Sequence, residues 1–187
     1  MEVPAMLRRS VEEFGAYVSQ IRDDQWEAGT PDTEWNVRDL VNHVLAENLW
    51  APPLLAGSTI SDVGDRFDGD VLGPDPKRSW LTASGDALAA ADASGAMDRT
   101  VHLSFGDFPG REYAMQLFAD HLIHAWDLAR AIGADERLDP ELVGACTAWF
   151  TPMEEAYRGA GAIAARPPVP DGADAQTRLL AMFGRRA

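Results

Sequence analysis

Asp120 and His124 stand four residues apart in the stretch REYAMQLFADHLIHAWDLARAIG, residues 111–133. At roughly 100° of helical turn per residue, that spacing aims a carboxylate and an imidazole the same way from successive turns. Gln116 and Asp127 fall in the same narrow polar stripe. A carboxylate and an imidazole so related can share one metal ion. Two donors make a poor site, so a third has to come from elsewhere. His43, within WNVRDLVNHVLAENLWAPPLL, is the candidate. Two imidazoles and one carboxylate are a familiar donor set for zinc, nickel or ferrous iron. Each of these residues also has an ordinary reading. A lone histidine on a mostly apolar helix is by default a hydrogen-bonded core or boundary residue, and a polar stripe by default faces water.

The neighbouring groups need the same weighing. Glu47 shares a helical face with His43 and is a ligand or a hydrogen-bond partner, the second by preference. His121 lies roughly 60° around the helix from His124, where it flanks the site or pairs with His124. Asp127 is one turn beyond His124; it either orients the site or, the more ordinary role, makes a salt bridge to Arg130 or a cap. His102 alternates with apolar neighbours in a short strand and is expected to face solvent. Cys146, the only cysteine, sits in the apolar pattern VGACTAWF and reads as a buried, inert thiol.

These residues require helices to hold them. Apolar residues cover more than half the circumference of residues 111–133, which places that helix in the middle of a bundle. Pro109-Gly110 before it and Gly133 after it supply the stops. Four helices are predicted near 3–24, 36–52, 79–93 and 111–133, with a further one over 139–157 and a short one over 174–183. Asn36 reads as the N-cap of the second helix, with Asp39 suited to its positive end. Pro52-Pro53 should end or strongly kink it. Residues 57–78 form a long Gly/Asp/Ser/Pro loop whose aspartates lack the spacing of a calcium-binding loop. Residues 99–105 alternate as a strand, with Gly106-Asp107 turning the chain back toward Phe108.

Composition narrows the function. A chain of 187 residues is expected to form one domain, 1–187. The net charge of −14, with Lys77 as the sole lysine, excludes nucleic acid as a partner. No apolar run reaches the length of a membrane helix, and the first residues lack the layout of a secretory signal, so a cytoplasmic protein is expected.

With WNVRDLVNHV around His43, DHLIHAWDLARAIG around His124 and the closing DAQTRLLAMFGR in family order, the chain resembles the DinB-like metalloproteins. It is most similar to the actinobacterial branch containing the N-terminal domain of mycothiol-dependent maleylpyruvate isomerase. The resemblance implies an all-α fold: an up-down-down-up four-helix bundle with a metal on its inner surface, here with extra C-terminal helices and a short β-hairpin. The branch's His, Glu and His ligands fall on His43, Asp120 and His124. Aspartate is one methylene shorter than glutamate, so the ion would sit closer to the 111–133 helix. Other DinB-like proteins use three histidines, which keeps His121 in reserve. The isomerase's further C-terminal domain has no room here, so its isomerisation is not expected to transfer.

The resemblance also implies mycothiol as cosubstrate. Three protein ligands leave a position open for a thiol, and the cation's charge favours the thiolate nucleophile. The leading expectation is therefore a zinc-dependent, or nickel- or iron-dependent, thiol S-transferase acting on a small electrophile. Glu47 and His121 are the candidates for proton handling, and Arg111, Arg178 and Arg185 for anion contacts. The alternative is a non-catalytic metal-binding or ligand-sensing bundle, which a fourth protein ligand would favour. A metal-water hydrolase ranks third. The expected partners are small molecules, and the chain itself is expected to be a monomer or homodimer.

Overall fold

A computed structural model describes all residues from Met1 to Ala187. Helices α1 (Val3–Gln20), α2 (Val37–Leu55), α4 (Pro76–Asp92) and α5 (Gly110–Ile132) form the bundle. Helix α1 packs on α4 and α5, and α2 packs on the same two, so the four close into a ring. One turn, α3 (Ile60–Val63), interrupts the loop after α2. The hairpin β1 (Thr100–Leu103) and β2 (Gly106–Pro109) runs directly into α5. Three shorter helices, α6 (Pro140–Phe150), α7 (Glu154–Gly159) and α8 (Ala175–Met182), complete the chain.

Helix α5 is the most enclosed element because α1, α2, α6 and the hairpin all contact it. Phe118, Leu122, Ala125 and Ala129 on α5 have no exposed surface. Phe14 of α1 and Leu40, Val41 and Val44 of α2 are equally enclosed. The entry to α5 requires glycine. A Cβ on Gly110 would lie 2.0 Å from the Ala96 carbonyl oxygen, and the Gly110 N–H donates to Arg99 O at 2.8 Å. Gly133 ends the helix in the left-handed conformation at φ 70°, the usual glycine stop.

The start of α2 is fixed by a reciprocal capping box. The Asn36 side chain accepts from Asp39 N at 2.9 Å, and the Asp39 carboxylate accepts from Asn36 N at 3.1 Å. Such caps contribute about 1 kcal/mol, and this one sets the phase of the helix that carries His43 two turns later.

Several boundaries differ from the sequence reading. Helix α2 runs through Pro52-Pro53 to Leu55. Proline deprives only carbonyls four residues upstream, and the proline carbonyls themselves accept from Ala56 N and Ser58 N at 3.0 and 2.9 Å. Helix α1 stops at Gln20 rather than Asp24, where Gln25 folds back to accept from Arg22 N. Helix α4 begins at Pro76, capped by Asp75, earlier than the Ser79 expected. The hairpin turns at Ser104-Phe105, because Gly106 pairs with Leu103 inside the ladder. The helix expected over 139–157 breaks at residues 151–153 into α6 and α7.

Candidate metal centre

His43, Asp120 and His124 each present a ligand atom so that all three lie within 4.8 Å of one another. Asp120 Oδ1 stands between the two imidazoles, 3.3 Å from His43 Nε2 and 3.5 Å from His124 Nε2. The two rings are 5.2 Å apart and nearly perpendicular. Trp35, from the turn before α2, packs against both, at 4.7 Å from His43 and 5.7 Å from His124.

Each tautomer follows from its partners. His124 Nδ1 is 2.9 Å from Asp127 Oδ2, and a carboxylate can only accept, so Nδ1 carries the proton. Nε2 faces Asp120 and, in the metal-free fold, carries the second proton toward that carboxylate; on losing it, Nε2 would offer its lone pair to an ion, the orientation a metal-binding imidazole needs. Asp127 is wholly buried and is itself held by Arg185 through Nε at 3.1 Å and Nη2 at 2.8 Å. Arg185 also reaches Asp32 Oδ2 at 3.2 Å and the Phe183 carbonyl at 3.2 Å. The expected salt bridge from Asp127 to Arg130 is absent. Arg130 lies over the Trp126 ring at 4.3 Å and pairs with Glu136.

The charge balance has the character of a cation site. Burial pushes the Asp120 carboxyl up, but His43 and His124 outweigh it and hold it well below the usual range. Burial works against a charged His124, yet Asp120 and Asp127 raise its pKa to about 9. Oδ2 of Asp120 is buried without a hydrogen-bond partner. A cation among these donors would supply what that oxygen lacks, so the residues fit a divalent ion.

A cavity of about 300 Å³ opens beside the triad, lined by His43, Asp120 and His124 together with Glu47, Tyr113 and Arg185. Burial, reinforced by Asp120, lifts the Glu47 carboxyl to about 7. His121 does not line this cavity. Its Nδ1 donates to the Leu117 carbonyl at 2.6 Å and its ring packs against both Phe14 of α1 and Trp80 of α4. It supplies no fourth ligand. Arg111 pairs with Asp98 at the surface, Arg178 is exposed, and only Arg185 of the three arginines reaches the site. His102 pairs with Asp107 on the hairpin at 2.8 Å, partly exposed as expected. Asp70, in the acidic loop, pairs with Arg38. Burial drives the Cys146 thiol up to about 12, so it is inert at neutral pH.

The sequence of residues 7–129 matches the profile of the mycothiol maleylpyruvate isomerase N-terminal domain. The chain belongs to that family. The matched span holds all three members of the triad. Two uncharacterized proteins from two strains of Mycobacterium tuberculosis are 32% identical over 188 residues, covering 95% of this chain and 94% of theirs. A crystal structure of a mutant of mycothiol-dependent maleylpyruvate isomerase superposes with a TM-score of 0.63 at 16% identity. That alignment covers 78% of this chain and 66% of the isomerase chain. At that identity the likeness speaks for the fold. Helices α6, α7 and α8 of this family member lie beyond the matched span.

Proposed function

We propose that this protein is a divalent-metal-dependent thiol S-transferase, with His43, Asp120 and His124 as ligands, zinc as the leading metal and mycothiol as cosubstrate. The observation that carries the reading is a three-donor site opening into a cavity rather than closed by a fourth protein ligand. An ion held there supplies an open coordination position and a positive charge that favours the thiolate.

The chain's own residues do the remaining work. Asp127 keeps the His124 proton on Nδ1, and Arg185 keeps Asp127 charged and in place. Trp35 covers the two imidazoles on one side. Glu47, which lines the cavity beside the triad, takes the thiol proton and passes it on. The thiolate lone pair then forms the S–C bond. Either a leaving group departs with its bonding pair, or the displaced π pair of an activated double bond ends as a C–H bond with a proton returned from Glu47.

The test is a transfer assay with purified protein, mycothiol, a panel of small electrophiles and added zinc or nickel. Metal-dependent consumption of thiol and electrophile in equal amounts is expected. Turnover at full rate by metal-stripped protein would leave the metal no part in the chemistry.

A further inference from the structure

The cavity beside the triad has two unlike walls. The α2 and α5 wall carries the triad and Glu47. The other wall is aromatic and comes from the chain's last third: Trp149 and Phe150 of α6, Tyr157 of α7, and Phe183 after α8. These rings are held in place. Trp149 Nε1 donates to Glu112 at 3.1 Å, Phe150 stacks on Phe183 at 4.1 Å, and Tyr157 meets the Phe150 edge at 5.3 Å. All four lie outside the span shared with the family profile.

Two features define what this wall accepts. Arg185 is the only cationic side chain at the cavity other than the imidazoles, and it is already committed to Asp127, Asp32 and the Phe183 carbonyl. A carboxylate placed against the aromatic wall would find no free cation and would keep most of its desolvation cost. Tyr113, in contrast, is an unused donor. It is 4% exposed, it lines the cavity, and its hydroxyl has no hydrogen-bond partner. Tyr113, Gln116 and Asp120 follow one face of α5. The seven helical steps from Tyr113 to Asp120 span about 10 Å of helix axis, room for one ring and a short polar substituent. A volume of about 300 Å³ is at the small end of ligand sites and agrees with that size.

We infer that this cavity is a subsite for a neutral, single-ring electrophile, with its apolar body against Trp149, Tyr157 and Phe183 and an acceptor oxygen that meets the enclosed Tyr113 hydroxyl through a small turn of that side chain. The chemical role of this subsite rests on the thiol-transfer reading, but its occupancy does not. The C-terminal helices thereby set specificity, while the family segment supplies the metal ligands.

The experiment follows binding of 4-phenylbut-3-en-2-one, a neutral aryl enone, by NMR titration of metal-free and zinc-loaded protein, with fumarate as a dianionic comparison. The enone is expected to bind both forms saturably, and fumarate is expected not to bind the metal-free form. Tyr113→Phe should weaken the enone about three- to ten-fold, the loss of one hydrogen bond, with zinc affinity unchanged. Ile163→Trp, at a half-buried position lining the same cavity, should block it sterically and decides the matter if Tyr113→Phe fails to fold. Absence of enone binding, equal fumarate binding to metal-free protein, or indifference of the enone to the folded variants would overturn the subsite. Enone binding by a protein that holds no zinc would retain the subsite and discard thiol transfer instead.

Discussion

Arg185 clamps Asp127 from 58 residues away in the chain, with Nη2 2.8 Å from Oδ2, and so reaches His124 through one intermediary. The C-terminal tail thus takes part in orienting a residue of the central helix. Arg130 adds a second tie by donating to the Arg186 carbonyl at 2.7 Å.

This relationship predicts that Asp127→Ala lowers zinc affinity about 10- to 100-fold, the usual cost of removing a carboxylate behind a metal-binding imidazole. Arg185→Gln should cost less, because Asp127 keeps its bond to Nδ1. Competition titration against a chelator measures both. Wild-type affinity in Asp127→Ala would mean that Nδ1 needs no partner.

Proton competition gives a second expectation. The pKa of His124 is about 9 in the metal-free fold, above its ordinary 6.5. A raised folded value means that this group's stabilising contribution is complete below 6.5 and is lost as pH rises through about 9. Metal-free protein should therefore lose melting temperature across that window, and His124→Gln should flatten the loss. Zinc binding near pH 7 should release the His124 proton, seen by calorimetry in buffers of different ionisation enthalpy. Proton-neutral binding at that pH would contradict this.

Cys146→Ala should leave thiol transfer unchanged, since the thiol is buried and its pKa is pushed to about 12. A stability loss on the order of 1 kcal/mol is the expected structural cost. If activity vanished while the melting curve stayed intact, a protein nucleophile would replace the cosubstrate thiol.

Gly110→Ala should destabilise the fold by about 1–3 kcal/mol, because the new methyl meets the Ala96 carbonyl and the loop between α4 and β1 must shift. Denaturant melts report this directly, and an unchanged midpoint would show that the loop yields freely.

Much of the centre was legible in the sequence because helical spacing alone ties Asp120 to His124 and Asn36 to Asp39. His43 needed the family resemblance, since one histidine on an apolar helix carries no signal of its own. The rest depended on contacts between distant segments. Asp127 looked like a partner for nearby Arg130, and nothing local points to Arg185. Trp35 carries no signal of its own in the sequence, and only the fold sets it against two imidazoles. Tyr113 fits the apolar pattern of α5 so well that its unpartnered hydroxyl shows only once the neighbours are in place. The proline pair in α2 suggested a stop at 52, but the proline carbonyls still accept from Ala56 N and Ser58 N, and the helix runs to Leu55.

The central claim is that His43, Asp120 and His124 hold one ion together. Anomalous diffraction from a zinc-soaked crystal, recorded at the zinc edge, tests it most directly. The account predicts a single strong peak about 2.0–2.2 Å from His43 Nε2, His124 Nε2 and an Asp120 carboxylate oxygen, with a remaining position facing the cavity. A peak at other residues, or no peak at the triad in zinc-saturated crystals, would contradict it.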